Sequence, residues 1–216
     1  SETREMALCL IMKYQDRHLV DRAFDLTWIH SQVVLRQLNA SEADAQLYAR
    51  LASSVIYANA WLRADPAVLL KNRRGKSGLW GYAISGDLPI VLLQIEDAAN
   101  IDLVRQLVQA HAYWRLKGLA VDLVIWNEDH AGYRQQLQEQ IMGLITSGIE
   151  ARLIDRPGGI FVRWAEQISS EDRILFHSVA RAVIMDSRGT LEEQIGQRRV
   201  AEPRVEWLVP SHRQRT

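Results

Sequence analysis

Residues 89–129 read PIVLLQIEDAANIDLVRQLVQAHAYWRLKGLAVDLVIWNED, and this stretch decides the fold. It opens with a short apolar run, 90–95, which is typical of a strand buried on both faces. A helix is predicted from Ile101 to Lys117, with Gly118 as its stop. A second apolar run follows at 121–126. Strand, helix and strand in this order predict a right-handed crossover between parallel strands.

The same alternation continues downstream of this stretch. The next helix is marked by Leu137, Ile141 and Leu144, and two strand-like pieces are predicted at 149–154 and 160–164. Ser169 is predicted to cap a last helix that carries four apolar residues. Those four are Leu175, Val179, Ala182 and Val183. The fold class predicted is therefore α/β, with a small, mainly parallel sheet of three or four strands flanked by helices.

The region upstream is predicted to be a helical hairpin or connector. Its first helix carries an apolar face with helical spacing, formed by Phe24, Trp28, Leu35 and Leu38. Ser41 is predicted to cap a second helix, and Pro66 to begin a short third one. We therefore divide the chain into a helical connector (1–71), a glycine-rich loop (72–89), an α/β module (90–186) and a polar linker or tail (187–216).

Composition excludes several classes of function. The 216 residues contain 26 Lys and Arg and 26 Asp and Glu, so the chain is formally neutral. A neutral chain has no global signature of nucleic-acid binding. Cys9 is the single cysteine, which excludes an internal disulfide and a multi-cysteine zinc site, and we expect it to be a small core residue. No apolar run is long enough to insert into a membrane.

The common motifs of cofactor binding and catalysis are absent or incomplete. RGKSG at 74–78 resembles part of a phosphate-binding loop, but Leu70 stands where that motif needs a glycine. There is no dinucleotide-binding fingerprint and no nucleophile elbow, and no histidine pair has the spacing of metal ligands on a helix. We therefore predict no cofactor, no metal and no catalytic residue.

Polar and aromatic residues gather at two places. Glu96 and Asp97 follow the first strand, and Asn127 and Glu128 follow the second; ligands of parallel sheets bind at such ends. The glycine-rich loop carries Trp80, Tyr82 and Asp87, the combination of aromatic face and carboxylate that a sugar site uses. The alternative is that polar residues follow any strand that exits to water. For Trp114 and Trp126 the better prediction is core packing.

Several segments resemble one family. The two longest are LWGYAISGDLPIVL at 79–92 and AHAYWRLKGLAVDLVIWNE at 110–128, and RAFDLTW at 22–28, LRQLN at 35–39 and RPGGIFV at 156–162 agree with them. They resemble the cyclic β-1,2-glucan synthases, in the part associated with glycoside hydrolase family 94, the phosphorylase-like family. The resemblance covers roughly residues 10–195. The family pattern has a glycine near Ala83, where this chain has alanine.

The resemblance implies a very large parent protein of the inner membrane, with a glucosyltransferase module, β-sandwich domains and an α/α barrel. This chain would be an accessory, non-catalytic module on the cytoplasmic face, next to the sandwich and barrel domains. The family's catalytic acid belongs to the barrel and falls on no residue of this chain. We expect any surface that contacts β-1,2-glucan to comprise Trp80, Tyr82, Asp87, Asn127 and Glu128.

Two alternatives remain open. In the first, the α/β module has its own acid–base site made of Asp87, Glu96 and Glu128. Two carboxyl groups about 5 to 9 Å apart across an open groove would favour that reading, whereas carboxylates paired with arginine would favour an accessory module. In the second, the chain is purely an interdomain docking module.

Overall fold

The computed structural model describes residues 3–129, 134–148 and 150–196. Within these ranges the chain forms eight α-helices and four β-strands. The helices are α1 (Arg4–Lys13), α2 (Arg17–Gln37), α3 (Glu42–Tyr57), α4 (Pro66–Lys71), α5 (Ile101–Leu116), α6 (Arg134–Thr146), α7 (Ser170–Val179) and α8 (Leu191–Gly196). The strands are β1 (Ile90–Ile95), β2 (Asp122–Asn127), β3 (Ile160–Trp164) and β4 (Ala182–Met185).

The four strands form one parallel sheet in the order β3-β2-β1-β4. The predicted α/β class and small parallel sheet are thus confirmed. β1 lies inside the sheet, paired with β2 on one side and β4 on the other. All six residues of β1 are buried, as the continuous apolar run at 90–95 predicts for a strand covered on both faces.

Two layers cover the two faces of the sheet. Val91, Leu93 and Ile95 of β1 face one core, which also contains apolar residues of α3, α5, α6 and α8. Ile90 and Leu92 face a second core, built by α7 and the glycine-rich loop. Alternate residues of β1 therefore supply both cores, as the two-residue period of a strand requires.

Only part of the helical connector packs against the α/β module among the described residues. Ser41 caps α3 with a complete capping box, because its hydroxyl accepts from the Asp44 amide and the Asp44 carboxylate accepts from the Ser41 amide. Pro66 lies at the start of α4, as predicted. Of the face predicted on α2, Leu35 and Leu38 are buried, whereas Phe24 and Trp28 are 70% and 66% exposed.

Cys9 was predicted to be a core residue, and that prediction is wrong. Cys9 is exposed on α1, a helix in which no residue is buried. No part of the described chain packs over this helix closely enough to bury it. Trp114 and Trp126, by contrast, are buried in the core as predicted. Among residues 3–129, 134–148 and 150–196, no helix combines the length and apolarity that crossing a membrane requires.

Two predicted elements of the α/β module differ from the structure. The segment 149–154 is not a strand: residues 151–153 form a turn of 3₁₀ helix, and only Ile154 bridges to Ile160. Parallel strands need a crossover of about a dozen residues or more, and this connection is too short to provide one. Ile149 itself lies outside the described residues. Ala182 and Val183 are not on the last helix but in β4, because α7 ends at Val179 and the next residue is extended.

The ordered structure continues past residue 186. Leu191–Gly196 forms α8, and its Leu191 and Ile195 pack into the core beside α3. Residues 197–216, the rest of the predicted polar tail, lie outside the described residues. The division of the chain into four parts stays a prediction.

A buried ionic cluster connects α5 to the segment that follows α6. His111 Nδ1 lies 2.7 Å from Glu150 Oε2, and His111 Nε2 lies 3.0 Å from the Val121 carbonyl oxygen. Arg115 donates from Nη2 to the other Glu150 oxygen at 2.7 Å. Glu150 and His111 are each 1% exposed. Burial by itself would raise the pKa of Glu150, but the hydrogen bonds from His111 and Arg115 lower it.

We expect Glu150→Ala to lower the free energy of unfolding by about 3 kcal/mol, because it removes the partner of the buried His111 ring and of the Arg115 guanidinium. The stabilisation is present above the ordinary carboxyl pKa of 4.5 and is lost as the pH falls below it, because folding lowers the pKa of Glu150. Urea unfolding at pH 7 and pH 4 measures both effects. Glu139→Ala on the exposed face of α6 is the matched control; equal losses in the two variants would contradict the assignment.

Candidate functional site

The glycine-rich loop covers one face of the sheet. Its central part, Lys76–Tyr82, is a 3₁₀ helix, and Leu79 and Ile84 are each 1% exposed in the core beneath α7. Gly78 allows the close approach to α7, because a Cβ there would lie 2.7 Å from a methyl group of Leu175. Arg163 of β3 donates to the Tyr82 carbonyl oxygen at 2.7 Å, which joins the loop to the sheet. The loop is therefore part of the core packing.

Ala83 ends the 3₁₀ helix in the left-handed backbone conformation, with φ 62°. A side chain makes this conformation cost about 1–2 kcal/mol, whereas glycine adopts it freely. This is the position near which the family pattern has a glycine. The loop keeps its tight turn with alanine, because the Ala83 amide donates to the Trp80 carbonyl oxygen and Ile84 packs in the core.

Asp172, in the first turn of α7, is the hydrogen-bonding centre of the loop. Its carboxylate accepts from Tyr82 Oη at 2.9 Å and from Ser169 Oγ at 2.8 Å, and it also pairs with Arg74. Ser169 in turn accepts from the Asp172 amide and caps the helix. One buried carboxylate thus ties the start of the loop, its end and the N-terminus of α7 together.

The electrostatics of this centre follow from its contacts. Burial alone would raise the pKa of Asp172, but hydrogen bonds from Arg74, Ser169 and Tyr82 together lower it, so the group is ionised. Burial and the hydrogen bond to Asp172 raise the pKa of Tyr82, whose phenol therefore stays a donor. An ionised carboxylate that already accepts from three donors is a poor proton acceptor for a substrate.

An open polar cavity of about 620 Å³ lies beside this centre. Arg74, Ser77, Tyr82, Gln167 and Asp172 line it, together with three glycines of the loop. Trp80, on the same 3₁₀ helix, is 63% exposed. Hydroxyl, amide and guanidinium groups beside aromatic rings can hydrogen-bond and stack on a neutral polyhydroxylated ligand.

Asp87 lies at the amino end of the sheet, just before β1. Its carboxylate pairs with Lys76, and its amide donates to Ser85 Oγ at 3.2 Å. The hydrogen bond and the charge of Lys76 lower the pKa of Asp87. The basic loop that resembled a phosphate-binding motif therefore has its Arg74 and Lys76 in ion pairs with this chain's own carboxylates.

Asn127 and Glu128 lie at the opposite, carboxyl end of the sheet. Asn127 donates to Gln138 Oε1 at 3.3 Å, and its own oxygen accepts from the Asp129 amide. Glu128 accepts from Gln94 Nε2 at 3.0 Å and lies 3.8 Å from Arg173. The end of β2 is thus held by amide and guanidinium contacts within the module.

The structure therefore divides the five predicted contact residues into two groups. Trp80, Tyr82 and Asp87 belong to the glycine-rich loop, whereas Asn127 and Glu128 belong to the far end of β2. Asp87 precedes β1 and Glu128 follows the neighbouring parallel strand, so about 20 Å of strand, six residues long, separates the two ends. Whether either group contacts a ligand stays a prediction.

An aspartate binds backbone amides at the end of the sheet where a parallel sheet of this topology would bind a ligand. The chain runs from β1 to β2 and β3 in one direction and returns to β4 on the other side, so the switch point lies between β1 and β4. There Asp186 Oδ2 accepts from the amides of Glu96 and Asp97 at 2.9 and 3.0 Å. Asn100 reaches the same oxygen at 3.5 Å.

Sequence reasoning missed Asp172, Arg74 and Asp186 as organising residues. A signal for Asp172 was present, because Ser169 and Asp172 have the spacing of a helix-capping pair. Nothing in the sequence indicated that Asp186 contacts residues about 90 positions away. Within residues 3–129, 134–148 and 150–196, no group of three histidine, cysteine or acidic side chains could hold a metal ion.

We expect Asp172→Ala to lower the free energy of unfolding by about 2 kcal/mol, since it leaves Tyr82 and Ser169 without their acceptor. Glu171→Ala is the matched control. Glu171 lies in the same helical turn and pairs with Arg74 at 3.2 Å, but its side chain is 71% exposed, so the loss should stay below about 0.5 kcal/mol. Urea denaturation compares the two, and a similar loss in both would argue against the central role of Asp172.

Ala83→Gly should raise the free energy of unfolding by about 0.5–1 kcal/mol. Glycine removes the cost of the left-handed backbone, and the greater conformational entropy of glycine in the unfolded chain cancels part of this gain. Ala49→Gly, in the exposed middle of α3, should instead lower it by about 1 kcal/mol. Thermal unfolding of both variants measures the difference in sign. A loss of stability in both would contradict the strain at Ala83.

Comparison of the sequence with known proteins identifies a relative of this chain. Models of known protein families give no match to the chain. Cyclic beta-(1,2)-glucan synthase NdvB of Rhizobium meliloti is 31% identical to it over 194 residues. The aligned region is 83% of this chain and 7% of that protein, so the chain spans a small part of the length of its relative. The chain is thus related to a cyclic β-(1,2)-glucan synthase, as the loop and strand motifs at 79–92 and 110–128 predicted.

Proposed function

We propose that this chain is an accessory, non-catalytic module of a cyclic β-1,2-glucan synthase, and that its glycine-rich loop contacts the glucan. The relation to NdvB supports the parent activity. The observation that carries the non-catalytic part is the separation of the candidate carboxylates. Asp87 and Glu128 lie at opposite ends of the sheet, and each is already paired with groups of this chain.

The third candidate, Glu96, supports the same proposal. Its own backbone amide and that of Asp97 donate to Asp186, so two donors at the switch point already have an acceptor within the chain. A glycosidase-like site needs two carboxyl groups facing one open groove. The arrangement described above favours an accessory module over an independent acid–base site.

The glycine-rich loop is the surface that we propose for glucan contact. Its cavity is open and polar, Tyr82 lines it, and Trp80 presents an exposed ring on the same 3₁₀ helix. An aromatic ring packs against the apolar face of a glucose unit, and the donors beside it bind the hydroxyl groups. We also propose that the module lies in the phosphorylase-like region of an inner-membrane protein, on its cytoplasmic side.

Calorimetric titration with linear β-1,2-gluco-oligosaccharides tests the proposal, with product analysis of the same mixture. We expect binding without turnover, and about ten-fold weaker binding for Trp80→Ala, the size of one aromatic contact. Trp28→Ala, at a tryptophan of similar exposure on α2, should bind as the unaltered chain does. Turnover would overturn the non-catalytic assignment, and absence of binding would overturn the glucan contact.

A further inference from the structure

A polar cavity lies between the start of α4 and the segment that follows β4. Its volume is about 440 Å³. Arg63 and Arg188 line it, together with Trp61, Asp65, Pro66 and two alanines. These residues belong neither to the glycine-rich loop nor to the candidate residues at the strand ends. The cavity is therefore separate from the surface proposed for glucan contact.

Hydrogen bonds to the sheet hold both segments that carry the arginines. The Val183 amide of the edge strand β4 donates to the Leu62 carbonyl oxygen at 2.6 Å, next to Arg63 in the sequence. Arg188 ends the 3₁₀ turn 186–188, in which Asp186 accepts from two amides that follow β1. The two arginines thus reach one cavity from two elements that the sheet holds in place.

The guanidinium group of Arg63 is anchored but incompletely partnered. Its Nη2 donates to the Ser178 carbonyl oxygen at 2.7 Å, near the end of α7. Its Nε is buried and has no hydrogen-bond partner in the described structure. A buried donor without an acceptor is unfavourable. Because Arg63 lines the cavity, an oxygen atom of a bound ligand can supply that acceptor.

The charges that line the cavity favour an anion. Within the described ranges neither Arg63 nor Arg188 forms an ion pair, unlike Arg74 and Lys76 of the glycine-rich loop. Asp65 is the one carboxylate among the described lining residues. Its Oδ1 accepts from the backbone amide two residues further on, at 2.7 Å, and caps α4. Two cations therefore face a single carboxylate that already has a structural role.

The positive potential of this corner extends into α7. Burial lowers the pKa of His177, and the charges of Arg173 and Arg188 lower it further. His177 is therefore neutral at pH 7 and adds no charge of its own. The charge of Arg188 reaches a buried side chain because Arg188 has no carboxylate partner among the described residues to neutralise it.

The chemistry of the two arginines selects a phosphate group over a carboxylate. A guanidinium group presents a planar set of donors that matches the oxygens of a phosphate. A phosphate monoester carries about −1.5 to −2 charges at pH 7, which balances two arginines, whereas a carboxylate balances one. The volume of about 440 Å³ lies in the range of small-molecule sites, so the cavity has room for the rest of a ligand beside Trp61, which is 38% exposed.

We propose that this cavity binds a small phosphate monoester. The Arg63 Nε and the Arg188 guanidinium donate to the phosphate oxygens, and the Trp61 ring packs against the apolar part of the ligand. The ligand is held without any covalent step. The site uses none of the residues proposed for glucan contact, so it does not depend on the proposed function.

Calorimetric titration of the 216-residue chain with phenyl phosphate, at constant ionic strength, tests this site. We expect binding, and at least ten-fold weaker binding for Arg188→Gln, because that variant loses a charge-assisted hydrogen bond. Arg22→Gln is the matched control, since Arg22 is exposed on α2 and does not line the cavity. It should bind as the unaltered chain does. Circular dichroism confirms that both variants are folded.

Two further comparisons test the roles of Arg63 and Trp61. Arg63→Lys keeps the positive charge but removes the Nε donor, so binding should again be at least ten-fold weaker. Phenyl phosphate should bind more tightly than inorganic phosphate, because its ring packs on Trp61.

Three results would contradict parts of this assignment. A chain that does not bind phenyl phosphate, or equal losses in Arg188→Gln and Arg22→Gln, overturns the phosphate site. Unchanged binding by Arg63→Lys overturns the role of the buried Nε. Equal affinities for phenyl phosphate and inorganic phosphate overturn the monoester as the ligand.

Discussion

The burial of β1 on both faces is the constraint on which the rest of the structure depends. A strand with six buried residues inside a parallel sheet needs a complete layer on each side. On one side the helices α3, α5, α6 and α8 provide this layer, and the crossovers from β1 to β3 place two of them there. On the other side α7 is the one long element that the described residues provide. The glycine-rich loop completes that second layer, which explains why it is ordered without regular strands.

This role of the loop accounts for its composition. Gly78 lets the backbone come close to Leu175, and Leu79 and Ile84 fill the space between α7 and the sheet. A layer made of loop also exposes backbone polar groups, and these need partners. Arg163 provides one such partner, for the Tyr82 carbonyl oxygen, and Asp172 holds the loop through the side chains of Tyr82 and Arg74. The same polar groups that stabilise the loop line the cavity, so stability and any ligand contact depend on one set of side chains.

Much of the fold could be predicted from the sequence because it depends on local pattern. The strands at 90–95 and 122–127, the helix α5 and the Ser41 cap are each specified by residues next to one another. The wrong predictions arose where a local pattern was ambiguous. The apolar positions 175–183 continue with helical spacing, yet the extended backbone at Ala180 ends the helix and the remaining residues pair with β1. An apolar run at 149–154 lacked the length of connection that a parallel strand needs.

The candidate site was less predictable, because its contacts join distant parts of the chain. Asp172 accepts a hydrogen bond from Tyr82, which is 90 positions away in the sequence. Asp186 accepts one from the Glu96 amide at the same sequence separation. Spacing in the sequence carries no information about such pairs. The polar residues at the strand ends were correctly placed at the sheet edge, but Asp87 was grouped with them by proximity in sequence to β1. Only the direction of the strands shows that it lies at the other end.

The position of Asp186 has a consequence for how the module responds to its surroundings. Asp186 directly follows β4, and its carboxylate accepts hydrogen bonds from two backbone amides of the same chain. It therefore occupies these amides as an intramolecular ligand. A free anion competing for those amides meets the high effective concentration of an attached group. Because these two amides already have an acceptor within the chain, a dissolved anion that binds to them should add little to the stability of the fold.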